Sequence, residues 1–154
     1  PPGNDGEVLS VDLSKKSGLN WKDPSKLVNP VEILLAPSST LIKNQLATTT
    51  EVDSFRNQYD FTNANKVRVI LTVQTVGVGR IGVQFLNGTW QWLDGESSSS
   101  TQPNTIGLSS TGLQSTSWFK IPDQAQQDIQ LRVVGVGGDG VADPRITNVR
   151  LQIK

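Results

Sequence analysis

The stretch Lys66-Val67-Arg68-Val69-Ile70-Leu71-Thr72-Val73-Gln74 decides the fold. Val67, Val69, Leu71 and Val73 alternate with Lys66, Arg68, Thr72 and Gln74, and only Ile70 breaks the period of two. Successive side chains of an extended chain point to opposite faces, so this reads as a strand with one buried face and one wet face. The pattern repeats on either side. Arg80–Phe85 carries it through Ile81, Val83 and Phe85, Asp128–Val133 through Ile129, Leu131 and Val133, and Asn148–Lys154 through Val149, Leu151 and Ile153. Shorter runs at Val8–Leu13, Val31–Leu35, Phe55–Phe61, Trp90–Leu93 and Trp118–Ile121 also read as strands, as does Lys43–Ala47. One helical turn is expected at Pro24–Val28, where Asp23 would cap a Pro at the first helical position.

Turn chemistry fills the gaps: Asn87-Gly88, Asp94-Gly95, Pro103-Asn104, Asp139-Gly140 and Asp143-Pro144. Asn87-Gly88 predicts a hairpin with a type I′ turn, which needs positive φ at both central residues. About ten short strands so punctuated predict an all-β fold, an antiparallel β-sandwich of jelly-roll type. The expected organisation is a single domain over 1–154, with residues 1–6 a flexible arm and Ser97–Asn104 mobile. The strand runs on either side of Val76-Gly77-Val78-Gly79 and of Val134-Gly135-Val136-Gly137 echo each other, as two hairpins with glycine-rich connections would.

Composition narrows the chemistry. With 154 residues the chain suits one domain, and it contains no His, no Cys and no Met. Thiol nucleophiles, Ser-His-Asp triads, haem ligation and zinc sites built on His or Cys are therefore excluded. Lys+Arg and Asp+Glu are each 14, so the net charge of zero gives no case for nucleic acid or an anionic membrane. No apolar run is long enough to span a bilayer, so membrane insertion is not expected. Ser, Thr, Asn and Gln far outnumber the charged residues, which make up 18%. A surface whose solubility rests on hydroxyls and amides points to an extracellular, cell-surface or virion location.

Two stretches fit G-x-G-x-x-G, at Gly77–Gly82 and Gly135–Gly140, but each leads into strand-like sequence instead of the helix a dinucleotide needs. Both read as hairpin connections. A glycosidase needs two carboxyl groups about 5–10 Å apart, and the spacing of Asp94, Glu96 and the other acids proposes no pair. The chain is accordingly read as not an enzyme. Asp139 and Asp143, with the carbonyls between them, have the oxygen chemistry of a structural calcium site, although turn-forming Asp explains the same letters. No cofactor is required. Asn87-Gly88-Thr89 is a glycosylation sequon, and a hairpin tip uses Asn-Gly in any case.

Tryptophan is the informative residue. Trp90 and Trp92 share one face of a strand, about 7 Å apart by strand rise. If that face is the core, both are packing. If it is an outer face, two indoles beside Gln84, Gln91 and Gln74 make a platform for sugar rings, whose C–H faces stack on aromatics while their hydroxyls meet amides. Trp118 adjoins Phe119 and Ile121 and falls on the opposite side of its strand from both, exposed or at a sheet edge. Trp21, in a polar segment, is expected to cover an open end of the sandwich.

The order of these pieces resembles the galactose-binding-domain-like jelly roll of carbohydrate-binding modules. The likeness runs over residues 55–154. It rests on the strand Lys66–Gln74, the Trp-containing hairpin, Thr116-Ser117-Trp118-Phe119-Lys120-Ile121-Pro122, then Ile129–Val133 and the closing strand Ile146–Ile153 after an Asp-bearing loop. The resemblance implies a calcium site pairing Asp143 with Glu7 or Asp12. It also implies a non-catalytic carbohydrate-binding module or lectin-like domain of a larger extracellular protein. The partner would be a glycan or polysaccharide, bound by Trp90, Trp92, Trp118, Gln84 and Gln91. The same fold also builds structural proteins of viruses, phages and self-assembling fibres, for which a homo-oligomer formed through a sheet edge or an N-terminal arm is expected.

Overall fold

The computed structural model describes residues 8–11, 19–22, 31–36, 40–41, 50–53, 58–95, 103–139, 141 and 144–154. The expected strand Lys43–Ala47, the turn Pro24–Val28 and the arm 1–6 lie outside them, as do Glu7, Asp12, Glu96 and Asp143. Two units are distinguished, Pro1–Val31 and Glu32–Lys154. The first holds an antiparallel pair, β1 (Val8–Val11) and β2 (Leu19–Lys22), which sets Leu9 opposite Trp21.

The second unit is an all-β sandwich of two antiparallel sheets. Its strands are β3 (Val31–Ala36), β4 (Thr40–Leu41), β5 (Thr50–Asp53), β6 (Gln58–Asp60), β7 (Lys66–Thr75), β8 (Arg80–Asn87) and β9 (Thr89–Trp92). They continue with β10 (Ile106–Gly107), β11 (Gly112–Ser115), β12 (Phe119–Lys120), β13 (Asp128–Val136) and β14 (Arg145–Ile153), and a 3-10 turn lies at Asp123–Ala125. One sheet runs β10-β8-β13-β5, with β9 also on β8 and β6 also on β13. The other runs β11-β7-β14-β3, with β12 also on β7 and β4 also on β14.

The alternation read from the sequence is the alternation of burial. Val67, Val69, Leu71 and Val73 join Ile81, Val83, Phe85, Ile129, Leu131, Val133, Val149 and Leu151 in one buried cluster, with Ile153 partly buried against it. Removing this much branched aliphatic surface from water is the main stabilising term of such a domain. Ile70 is buried too, but outside that cluster, as its break of the period requires.

The closing strand shows how one residue resets a face. Thr147 pairs with Thr72 and Arg150 with Ile70, so Asn148 and Val149 together oppose Leu71 alone. This β-bulge lets Ile146 and Val149, an odd number of residues apart, both point inward and both reach 0% exposure. Asn148 carries it at φ 53°, in the left-handed region that Asn tolerates better than other residues with a Cβ. Asn148→Gly is expected to leave thermal stability unchanged or slightly raised, and Asn148→Val to lower it by about 1–2 kcal/mol. Equal melting temperatures for the two variants would contradict this account of the bulge.

Two local expectations are corrected. The β8–β9 hairpin forms at Asn87-Gly88, but among the described residues with positive φ only Gly88 (68°) belongs to it. The turn is therefore not type I′, because Asn87 keeps negative φ. Of the strand expected at Phe55–Phe61, residues 55–57 lie outside the described residues, Gln58–Asp60 form β6, and Phe61 falls beyond it. The strand ends where Asp60 accepts hydrogen bonds from the backbone N–H (2.8 Å) and hydroxyl (2.5 Å) of Thr62. These bonds favour the ionised carboxylate and hold its pKa below the usual value.

Candidate functional site

The side of β8 away from the core carries Gly82, Gln84 and Leu86, since Ile81, Val83 and Phe85 point inward. Antiparallel register sets Trp92 opposite Gln84 and Trp90 opposite Leu86, so both indoles lie on this outer face. Gln91 is opposite Phe85 and turns to the inner side, so the structure separates it from the two Trp residues. On the other flank of β8, Arg132 is opposite Gln84 and Val134 opposite Gly82. One cross-strand row on the outer face therefore reads Trp92, Gln84, Arg132.

The two indoles have different surroundings. Trp92 is 8% exposed although it is outside the main core. Its ring rests on Gly82, where an added Cβ would come within 2.6 Å of Trp92 Cζ3 and 2.8 Å of Thr105 Cγ2. The absence of a side chain at 82 is what lets the indole lie against the strand. Thr105 is held in turn by Arg80, whose Nε donates to Oγ1 and whose second guanidinium nitrogen donates to the Thr105 carbonyl at 2.8 Å. The chain leaves β9 through a tight turn in which Gly95 N–H donates to Trp92 O at 2.8 Å. Beside it, Asn104 Nδ2 donates to Asp94 Oδ2 at 2.7 Å.

Trp90 is half-buried. The Arg132 guanidinium carbon lies 4.3 Å from its ring centroid, within the range where the ring quadrupole attracts a cation. Gln84 fixes that guanidinium: its Oε1 accepts from Arg132 Nε at 2.9 Å and from a terminal nitrogen at 2.6 Å. Gln84 itself is 5% exposed, so its Oε1 is a buried acceptor satisfied by the arginine. Arg132 is the residue that sequence reading missed. The alternation of Ile129, Leu131 and Val133 already turned it outward, but only the pairing of β13 with β8 brings it to Trp90.

Trp118 lies on the other sheet. Phe119 pairs with buried Val67, so Trp118 sits on the outer side, where Arg68 stands 4.9 Å and Lys154 Nζ 4.4 Å from its ring centroid. Arg68 Nε donates to Gln152 Oε1 at 2.7 Å, Gln152 Nε2 donates to Glu32, and Arg150 Nε lies 3.8 Å from the same carboxylate. The five residues expected to share one site therefore divide three ways: Trp90, Trp92 and Gln84 together, Gln91 turned inward, and Trp118 on the opposite sheet.

Of the expected calcium ligands, Asp139 uses Oδ1 to accept the Val141 N–H at 3.0 Å, closing a local turn, and Asp143 lies outside the described residues. Among the described residues no three acidic side chains converge. Trp21 falls in β2, and Gln74 is exposed at the end of β7. No helix in the described residues is long and apolar enough to cross a membrane. Compared with known proteins, the chain matches no family model, no curated protein sequence and no solved structure.

Proposed function

We propose that this protein is a non-catalytic carbohydrate-binding module of an extracellular or surface protein, with Trp90 at the centre of its glycan platform. The observation that carries this reading is the outward placement of Trp90. It is half-buried, held in position by a guanidinium that a buried amide orients, and not consumed by the core. Sugar rings bind by laying C–H faces on such an indole and hydrogen-bonding to neutral amide and guanidinium edges. Arg132 provides the edge chemistry, buried Gln84 fixes it from beneath, and Trp92 forms the floor.

The strand order supports the jelly-roll reading. Taking β3/β4, β5/β6, β9/β10 and β11/β12 as one position each gives eight positions, of which the first, third, sixth and eighth form one sheet. That interleaving is the one expected of a double Greek key, which lectin domains and viral coat proteins use. It fits a virion or fibre subunit as well as a module, and the outward indole favours the module.

One stacked ring contributes on the order of 1–2 kcal/mol, so the isolated domain should bind in the micromolar to millimolar range and gain strength by repetition. Trp90→Ala is expected to weaken binding about tenfold while leaving the melting temperature nearly unchanged. Glycan array screening followed by calorimetric titration checks this. Absence of neutral-glycan binding at millimolar concentration would remove the proposal and leave assembly, read by light scattering, as the reading to pursue.

A further inference from the structure

A net charge of zero conceals an uneven distribution. Lys120 is the register partner of Lys66, and Lys66 and Lys154 exchange both backbone hydrogen bonds at 2.9 Å. Lys120 of β12, Lys66 of β7 and Lys154, just past the end of β14, thus form one row on the outer side, because neighbouring Val67 and Phe119 are buried. All three lysines are exposed. The adjacent row adds Trp118 and Arg68, with Arg68 and Lys154 both over the indole. Among the described residues, Asp123 stands 3.5 Å from Lys120 Nζ, where both side chains are largely exposed and the pair is weak, and Glu32 reaches Arg68 only through Gln152.

Like charges directly opposite one another destabilise a sheet. Lysines are common on edge strands, where they discourage edge-to-edge pairing, but that explanation does not reach Lys66. Lys66 sits on β7, between Lys120 of β12 and Lys154, the residue that follows β14. A row of three cations kept at neighbouring positions about 4.8 Å apart, against the preference of the sheet, is suited to a ligand with closely repeated negative charges.

We infer that this strip is a second binding site, distinct from the Trp90 platform, and that it takes an acidic polysaccharide carrying carboxylate or sulfate groups. The flat outer face of a sheet accommodates an extended chain with anionic groups at short intervals. Trp118 places its ring against the strip's own cations, whereas single-stranded nucleic acid is bound by rings stacked on successive bases. Trp118 is then a positioning residue that holds Arg68 and Lys154. The inference does not depend on neutral-glycan binding at Trp90, because the two faces belong to different sheets.

The test uses the full chain on immobilised heparin and, in solution, sodium polygalacturonate, over a series of NaCl concentrations. Retention that falls steeply with salt is expected, with at least about a fivefold loss of affinity in Lys66→Gln/Lys154→Gln and in Lys120→Gln/Lys66→Gln, and none in Trp90→Ala. At low salt both double variants should melt no lower than the parent, since they relieve like-charge contact, and this separates lost binding from lost fold. No retention of the parent at low salt would overturn the inference, as would retention unaltered in both double variants. Equal affinity for duplex DNA or phosphatidylserine vesicles, lost in the same variants, would overturn the polysaccharide assignment.

Discussion

Trp92→Ala is expected to destabilise the protein by about 3 kcal/mol, the low end of the range for deleting a buried aromatic. In a chain of this size that is roughly a 10 °C fall in melting temperature. The indole is nearly as buried as a core residue, yet it rests on the outside of a sheet, against Gly82 and Thr105. Truncating it would uncover the backbone of β8 at Gly82 and remove the apolar cover over Gln84, whose amide depends on the dry surroundings that strengthen its bonds to Arg132. Trp90, two residues earlier on the same face, should behave in the opposite way, with little effect on stability and a large one on glycan binding. Denaturation and titration of both variants check this contrast, and a Trp90→Ala protein as unstable as Trp92→Ala would refute it.

Gly82→Ala should cost about 1–3 kcal/mol by overpacking. Gly82 is not among the positive-φ glycines, so the cost arises from the clash and not from backbone strain. The new Cβ would meet Trp92 Cζ3 at 2.6 Å and a Thr105 methyl at 2.8 Å, and both must give way. In a Trp92→Ala background the ring clash is gone and only the Thr105 methyl at 2.8 Å is left, so the same substitution should cost clearly less. The two changes are therefore expected to be non-additive by about 1 kcal/mol or more in a double-mutant cycle. Additivity would show that the indole and Gly82 do not pack as described.

Much of the fold was legible because the long strands β7, β8, β13 and β14 each turn an alternating apolar set into the core. A one-residue slip would turn Val67, Val69, Leu71 and Val73 into water together, so alternation fixes which residues are inside. The strands not foreseen are short, and several carry little pattern. Gly112–Ser115 has no buried residue, and Thr50–Asp53 and Leu19–Lys22 have only a few letters in which alternation can be seen. They are strands because a neighbouring edge offers them hydrogen bonds.

The site was half legible. That Trp90 and Trp92 share a face follows from the period of two alone. Which face it is depended on β9 pairing with β8 so that Leu93 enters the core and the indoles do not. The other face of β9 carries only Thr89 and Gln91, so hydrophobicity within the strand would have turned the indoles inward. Gln91 was grouped with the indoles by its proximity in sequence, and strand alternation separates neighbours. Trp118 was grouped with them by residue type, and sheet membership puts it on the far side.

By itself, then, the sequence determined the β class, the inward set of the long strands, the hairpin at Asn87-Gly88 and the exclusion of thiol, imidazole and haem chemistry, since each follows from local geometry or from residues that are simply absent. Only the tertiary structure decided that Arg132 meets Trp90, that three lysines stand in one row, and that a bulge at Asn148 turns both Ile146 and Val149 inward. These depend on register between strands distant in the chain, and register is set by the packing of two whole sheets rather than by any one segment.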